Sequence, residues 1–269
     1  MDGTDTAWSG DLSYGYLSEL LSTVRANFDT CLLHDAPRVL AAASARSAFI
    51  RHDIDVAPRF SLPVGRMEAE LGIRASYQFM VDSLLYRVED ASTRHAINEL
   101  LDLGHEVGLH VHVPESLLSA NPYSDAARAH VHSASKRLEA VIGGPVKTMS
   151  FHRPQPQLLR GPMIFDGKVN AYSAPLMAWY LADSAGRWRN GPPIQTLLAS
   201  AQPVLQLLIH PIWWGPAHMS APDRLQSFFE EETQGKNGAF AASFDGYLSE
   251  TMHAVRRSGH ERRPVGESA

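Results

Sequence analysis

Several features that would place a chain in a large protein class are missing from this sequence. Only one of its 269 residues is a cysteine, Cys31. No internal disulfide framework can therefore form, and a reducing compartment is the natural setting. No run of about 18 apolar residues occurs, so no membrane-spanning helix is expected. Positive charge is not in excess: 24 Lys and Arg stand against 29 Asp and Glu, a formal net charge of −5. That argues against a nucleic-acid surface, and no polybasic stretch offers itself to anionic lipid. Internal repeats and low-complexity linkers are also lacking, which argues against a solenoid or a string of modules. The chain opens acidic, Met-Asp-Gly-Thr-Asp-Thr, with no apolar segment behind it. The expectation is a cytoplasmic protein without a secretory signal.

What is present is a regular alternation of two periodicities. Leu17, Leu20, Leu21, Val24 and Phe28 form a helical stripe. Ala48-Phe49-Ile50 leads into Arg51-His52-Asp53-Ile54-Asp55, an apolar entry with a polar exit. A helix carrying Met67 and Leu71 should stop at Gly72. Residues 75–81 alternate with period two, and a helix over 92–103 should end at Gly104. Residues 106–113 alternate again, followed by a helix over 124–142 and a short strand over 147–151. Residues 153–203 are rich in proline and glycine and predict short strands and long loops. The apolar run 203–209 predicts a strand buried on both faces. Helices are expected over 222–234 and 240–256. The alternation predicts one α/β domain with a largely parallel sheet, and function at the strand C-termini.

Four segments carry residue types suited to chemistry. Asp53 and Asp55 are two apart, so in an extended segment both carboxylates share a face. Such a pair divides into metal ligand and general base, and the spacing does not say which is which. His110 and His112 share a face of an apolar strand by the same parity, and two imidazoles at that spacing suit one divalent cation. Ser150-Phe151-His152-Arg153-Pro154 delivers a histidine and an arginine at a strand end. His210 closes a buried strand and precedes Trp213 and Trp214. Histidine is the side chain suited to proton exchange near neutral pH, and tryptophan faces stack on rings. The histidines at 95, 130, 132, 253 and 260 sit in helical or tail context and are expected in solvent.

Taken in order, these segments resemble the polysaccharide deacetylase superfamily, the carbohydrate esterase family 4 type. The resemblance spans about residues 47–214. Its most specific string is Gly104-His105-Glu106-Val107-Gly108-Leu109-His110, with Asp53 and Asp55 before it and Arg153-Pro154 and Leu207-Leu208-Ile209-His210 after it. It implies a distorted (β/α)7-type barrel and an Asp–His–His site for one divalent metal, zinc first. By the same resemblance Asp53 is the catalytic base, Asp55 and His110 are metal ligands, Arg153 holds the base, and His210 is the general acid. Two departures stand out. Ile54 separates aspartates that are usually adjacent, and Pro114 occupies the position of the second metal histidine. His112 is the substitute that parity offers.

The resulting expectation is a metal-dependent N-deacetylase acting on an acylated amino sugar or glycosylated metabolite. His152, Trp188, Arg189, Trp213 and Trp214 are expected to bind substrate, with Tyr180, Asp183 and Arg187 in the same wall. The expected organisation is an N-terminal helical segment over 1–46, a barrel over 47–256 and a tail over 257–269. Two other readings share the residues. A non-haem iron oxygenase also uses two histidines and a carboxylate. A non-catalytic binding domain derived from a deacetylase would explain the departures.

Overall fold

The computed structural model describes residues 8–42, 45–118 and 121–234. The helix expected over 240–256 and the tail over 257–269 lie outside the described residues.

Helix α1 (Tyr14–Asn27) begins where the Ser13 hydroxyl accepts from the Tyr16 amide, and it buries Leu17, Leu20, Leu21 and Val24. The chain continues through β1 (Asp29–Cys31), α2 (Ala36–Ala42), β2 (Ser47–Ile54) and α3 (Ser61–Glu70). Then come β3 (Ser76–Met80), α4 (Ala91–Asp102), β4 (Glu106–Val111), α5 (Asp125–Ile142) and β5 (Thr148–Phe151). The proline- and glycine-rich region supplies β6 (Ile164–Phe165), β7 (Lys168–Asn170) and β8 (Tyr180–Ala182). Helix α6 (Pro193–Leu198), β9 (Val204–Ile209) and α7 (Ala221–Thr233) complete the described fold. Helix α5 runs from a Ser124 cap to Gly143 at φ 69°, a left-handed position that glycine occupies without strain.

Seven strands run parallel in the spatial order β7-β5-β4-β3-β2-β9-β8, and β6 pairs antiparallel with β7. Strand β1 pairs with the first residues of β2, below the stretch of β2 that pairs with β3. This is the expected α/β architecture, a distorted, incomplete (β/α)7-type barrel in one domain. No described strand joins β7 to β8. The segment 171–179 occupies that gap, tied to β9 where the Gln206 side-chain amide donates to the carbonyls of Ala171 (2.9 Å) and Leu176 (3.2 Å).

Strand parity sorts residues into two environments. Ile50, Tyr77, Phe79, Val107, Leu109, Leu205 and Leu207 pack in the main apolar core. The opposite parity is largely polar. Arg51 donates to Gln206 Oε1 (3.2 Å), Gln78 to Thr148 (3.1 Å) and Ser150 to Asp53 (3.0 Å), all buried. Gly108 sits among them. A Cβ there would lie 2.2 Å from Gln78 Oε1 and 2.3 Å from Thr148 Oγ1, so no side chain fits. A separate buried network lies among the helix-facing residues. Glu68 of α3 takes His52 Nε2 at 2.7 Å and the Tyr77 hydroxyl at 2.6 Å. Beside it, His105 Nδ1 accepts from the Ala75 amide (3.1 Å), which directs the other ring N–H to the Gly65 carbonyl (2.9 Å).

Candidate metal centre and active site

The chemistry gathers where β2, β4, β5 and β9 end. Asp53 is the penultimate residue of β2 and Asp55 the first beyond it; His152 follows β5 and His210 follows β9. Asp55 Oδ1, His110 Nε2 and His152 Nδ1 converge. The nitrogens are 3.1 Å apart, and the oxygen lies 3.0 Å from His110 Nε2 and 3.3 Å from His152 Nδ1. Among the described residues this is the group able to hold a metal ion. Donors around a tetrahedral zinc with bonds near 2.05 Å lie roughly 3.3 Å apart, so the spacing fits. Asp55 Oδ1 is also shielded from solvent and takes no hydrogen bond, an acceptor left over in a buried place. A carboxylate and two imidazoles suit zinc and other first-row divalent ions.

His112 is not in the group. Strand β4 ends at Val111, and the ladder with β5 is finished by the His152 amide donating to the Val111 carbonyl at 2.8 Å. Beyond that point His112 is exposed, its ring 6.3 Å from that of His152. The third donor comes from the neighbouring strand, and His152, expected to touch substrate, takes the place expected for His112.

Asp53 lies 2% exposed on the other side of His110. Arg51 Nη2 donates to its Oδ2 at 3.1 Å, and Ser150 Oγ donates to its Oδ1 at 3.0 Å. Arg51 is fully buried. It also donates to the Tyr172 hydroxyl (3.0 Å), with the Tyr172 and Tyr180 rings 4.6 and 5.8 Å from its guanidinium. Burial works against a charge on Asp53, but Arg51, with His110 and His210, outweighs it and holds the carboxyl below its usual range. Arg153, expected to hold the base, is not the partner found. It is exposed on the cavity wall at φ 45°, and the arginine that pairs with Asp53 is Arg51, on the same strand face. Asp55 is held well below the usual carboxylate range: burial opposes its charge, and His152 and His110 overcome that.

His210 has a partner that motif reading places in the substrate wall. Asp183, fully buried, takes His210 Nδ1 at 2.6 Å, the His210 amide at 3.0 Å and the Trp214 indole N–H at 2.8 Å. Burial disfavours charge on His210, but Asp183, then Asp55 and Asp53, reverse this and push it up to about 9. His210 Nε2 lies 3.8 Å from Asp55 Oδ2, so its outer nitrogen faces the candidate ligand group. Trp214 is fully buried as a ligand of Asp183 and not on the cavity wall. Trp188 is 2% exposed and packs in the core, its backbone bridged to Trp8. Both are expected at the substrate, but Trp188 packs in the core and the Trp214 indole donates to Asp183.

A cavity of about 560 Å³ opens over these groups. Asp53, Asp55, His110, His152 and His210 form its floor; Tyr172, Tyr180 and Trp213 bring aromatic faces to it, and Arg153 and Arg189 cationic side chains.

The chain resembles the Streptococcus pyogenes deacetylase PplD in complex with acetate, at 12% identity and a TM-score of 0.43, over 79% of this chain and 85% of that one. It also resembles a mutant CE4 family pseudoenzyme with restored enzymatic activity, at 11% identity and a TM-score of 0.38, over 81% of this chain and 65% of that one. No protein-family model and no curated protein matches the chain. Among the described residues no helix is long and apolar enough to cross a membrane.

Three pairings escaped motif reading: Arg51 with Asp53, His152 with Asp55 and His110, and Asp183 with His210. Arg51 had a signal, since it lies two before Asp53 on one strand face. His152 had the signal of position, a histidine just past a strand C-terminus like His210. Asp183, a lone aspartate in an irregular region, had none that marks it as the partner of a histidine 27 residues away.

Proposed function

We propose that the chain is a metal-dependent amide hydrolase that removes an N-acyl group, first of all N-acetyl, from an amino sugar or related small molecule. The observation that carries this reading is the assembly of three functions over one cavity. They are a carboxylate–imidazole–imidazole donor set, a buried carboxylate paired with an arginine and a histidine paired with a buried aspartate. Asp55, His110 and His152 would hold the metal, which supplies Lewis-acid polarisation of the acyl oxygen and a more acidic water when bound. Asp53, kept ionised by Arg51, takes a proton from the attacking water as its oxygen bonds to the acyl carbon. His210 gives its proton to the amine nitrogen as the carbon–nitrogen bond breaks, and Asp183 stabilises the imidazolium until then. The products are acetate and a free amine. Tyr172, Tyr180 and Trp213 offer faces to a sugar ring. Arg153 and Arg189 line the same cavity as cationic side chains.

The iron oxygenase shares the donor set but gives no use to the His210–Asp183 pair, and the binding domain gives no use to Asp53 held ionised by Arg51. The test is elemental analysis of wild type, His152→Ala and His112→Ala, joined to acetate release over a panel of N-acetylated amino sugars. About one zinc per chain, lost in His152→Ala and kept in His112→Ala, is expected, with acetate release abolished in Asp53→Asn. Iron with oxygen-dependent turnover would move the reading to the oxygenase. No metal after reconstitution would overturn the ligand set.

A further inference from the structure

We infer that Arg153 and Arg189 read an anionic group on the substrate, so that the acylated amino sugar entering this cavity carries a phosphate ester or a carboxylate. The inference rests on the proposed function for the acyl end of that molecule. The anionic end has a binding test of its own, which needs no turnover.

The carboxylates that line the cavity lie on its floor, and each is answered there. Arg51 donates to Asp53 at 3.1 Å, and Asp55 lies 3.0 Å from His110 Nε2 and 3.3 Å from His152 Nδ1. Above the floor no carboxylate lines the cavity among the described residues, whereas Arg153 and Arg189 both do. Both are exposed. In a chain of net charge −5, two guanidiniums on an acid-free wall are not a sample of the general surface. A guanidinium is always charged and carries five donors in a planar fork, so a contact within the protein still leaves donors for a ligand. That fork matches the paired oxygens of phosphate and carboxylate.

The backbone points the same way. Arg153 precedes Pro154, a position that favours extended backbone. It is held instead at φ 45°, in the left-handed region that suits glycine. Ala185, at φ 58°, lines the same cavity four residues before Arg189. Strain of this kind gathers at walls that clamp a ligand. Arg153 follows β5 and Arg189 follows β8, strands on the two sides of the break in the sheet. Tyr172 and Met177 line the cavity from the segment that bridges that break. The substrate then lies with its acyl end at the floor and its anionic end toward the arginines. The volume, about 560 Å³, has room for a phosphorylated or carboxylated monosaccharide. Arginines that served only sugar hydroxyls would treat neutral and anionic sugars alike.

The test is isothermal titration of zinc-reconstituted protein with sugars that hold no amide: glucose, glucose 1-phosphate, glucose 6-phosphate and glucuronate. At least one anionic sugar should bind about 100-fold tighter than glucose at low salt, and high salt should erode that preference. Which anion does so separates phosphate from carboxylate. Arg153→Gln and Arg189→Gln should each cut the preference about 10-fold, and the double variant should remove it. Arg189→Lys, which keeps the charge, should retain part of it. Arg189 is distant in sequence from the candidate ligands, so its variants keep the test intact if Arg153→Gln disturbs His152. Equal binding of neutral and anionic sugars overturns the inference. So does a preference unchanged within twofold in the double variant, the result expected of phosphate held by the metal alone. Acetate release should favour the phosphates of N-acetylglucosamine, or N-acetylmuramic acid, over N-acetylglucosamine in kcat/KM by a similar factor. Anionic preference in binding without any acetate release leaves this inference standing and overturns the proposed function. Acetate release at equal kcat/KM from neutral and anionic substrates does the reverse.

Discussion

Replacing Asp183 with asparagine tests how His210 is kept charged. The buried carboxylate receives three donors: the ring nitrogen and amide of His210, and the indole of Trp214. Asparagine has nearly the same shape and keeps one acceptor oxygen, so the change removes charge more than packing. In the native site His210 is raised from 6.5 to about 9. That difference corresponds to roughly 3 kcal/mol, at about 1.4 kcal/mol for each tenfold change in the equilibrium. Burial alone lowers the value, and Asp183 is the largest of the carboxylates opposing it. In Asp183→Asn the titration should fall clearly below 9, with Asp55 and Asp53 opposing a deeper drop. At pH 8 the protonated fraction, about nine-tenths in wild type, then falls with it. Stability follows with a definite sign. A histidine whose folded value exceeds its unfolded one stabilises fully below the unfolded value, and that contribution is lost as pH rises through the folded one. Metal-free wild type should therefore lose up to roughly 3 kcal/mol between about pH 6.5 and 9, and the variant much less of it. Histidine NMR titration and urea unfolding at both ends of that window read the two effects. A variant in which His210 still titrates near 9 would refute the assignment.

Other perturbations follow from the same geometry. Arg51→Met strips the partner from a 2%-exposed carboxylate and should cost about 3–5 kcal/mol in urea unfolding; a loss below about 1 kcal/mol would mean Asp53 is not held by Arg51. Tyr77→Phe takes the 2.6 Å donor from Glu68 Oε2 and should cost about 1–3 kcal/mol while leaving metal content untouched; a change in metal content would link the two networks unexpectedly. At the acid end the sign reverses. Asp53 and Asp55 are depressed in the folded state, so their stabilisation is present above the unfolded value near 4 and is lost as pH falls through the folded ones. Acid unfolding of metal-free protein should accordingly flatten in Asp55→Asn, and an identical acid limb would count against the buried charge at that position.

The parallel strands and their flanking helices are legible from local pattern alone. Apolar runs and period-two stretches mark β2, β3, β4 and β9, and serine or glycine punctuation marks the helices between them. His110 and Asp55 are legible for the same reason, since each sits at or just past the end of a strand that its own sequence announces. The remaining site depends on which strands lie side by side. Parity within β4 points to His112, whereas the donor arrives from β5 because the β4–β5 ladder closes at Val111 and His152. Where the paired strand ends is decided by the neighbouring strand, which no single segment reveals. Asp183 and His210 belong together because β8 lies beside β9, a register that the irregular stretch around 153–203 conceals.

The break between β7 and β8 has a consequence for how this scaffold changes. The residues assigned to ligation and proton transfer are all fixed to strands paired on both sides, β2, β4, β5 and β9. Tyr172 and Met177, by contrast, line the cavity from the segment that bridges the break, anchored to β9 chiefly through the Gln206 amide. The molecule thus separates a strand-held hearth from an exchangeable panel. Lengthening, shortening or rewriting residues 173–178 would reshape what enters the cavity without shifting the strands that carry the chemistry. A library confined to that panel is the economical route to new substrates on this barrel.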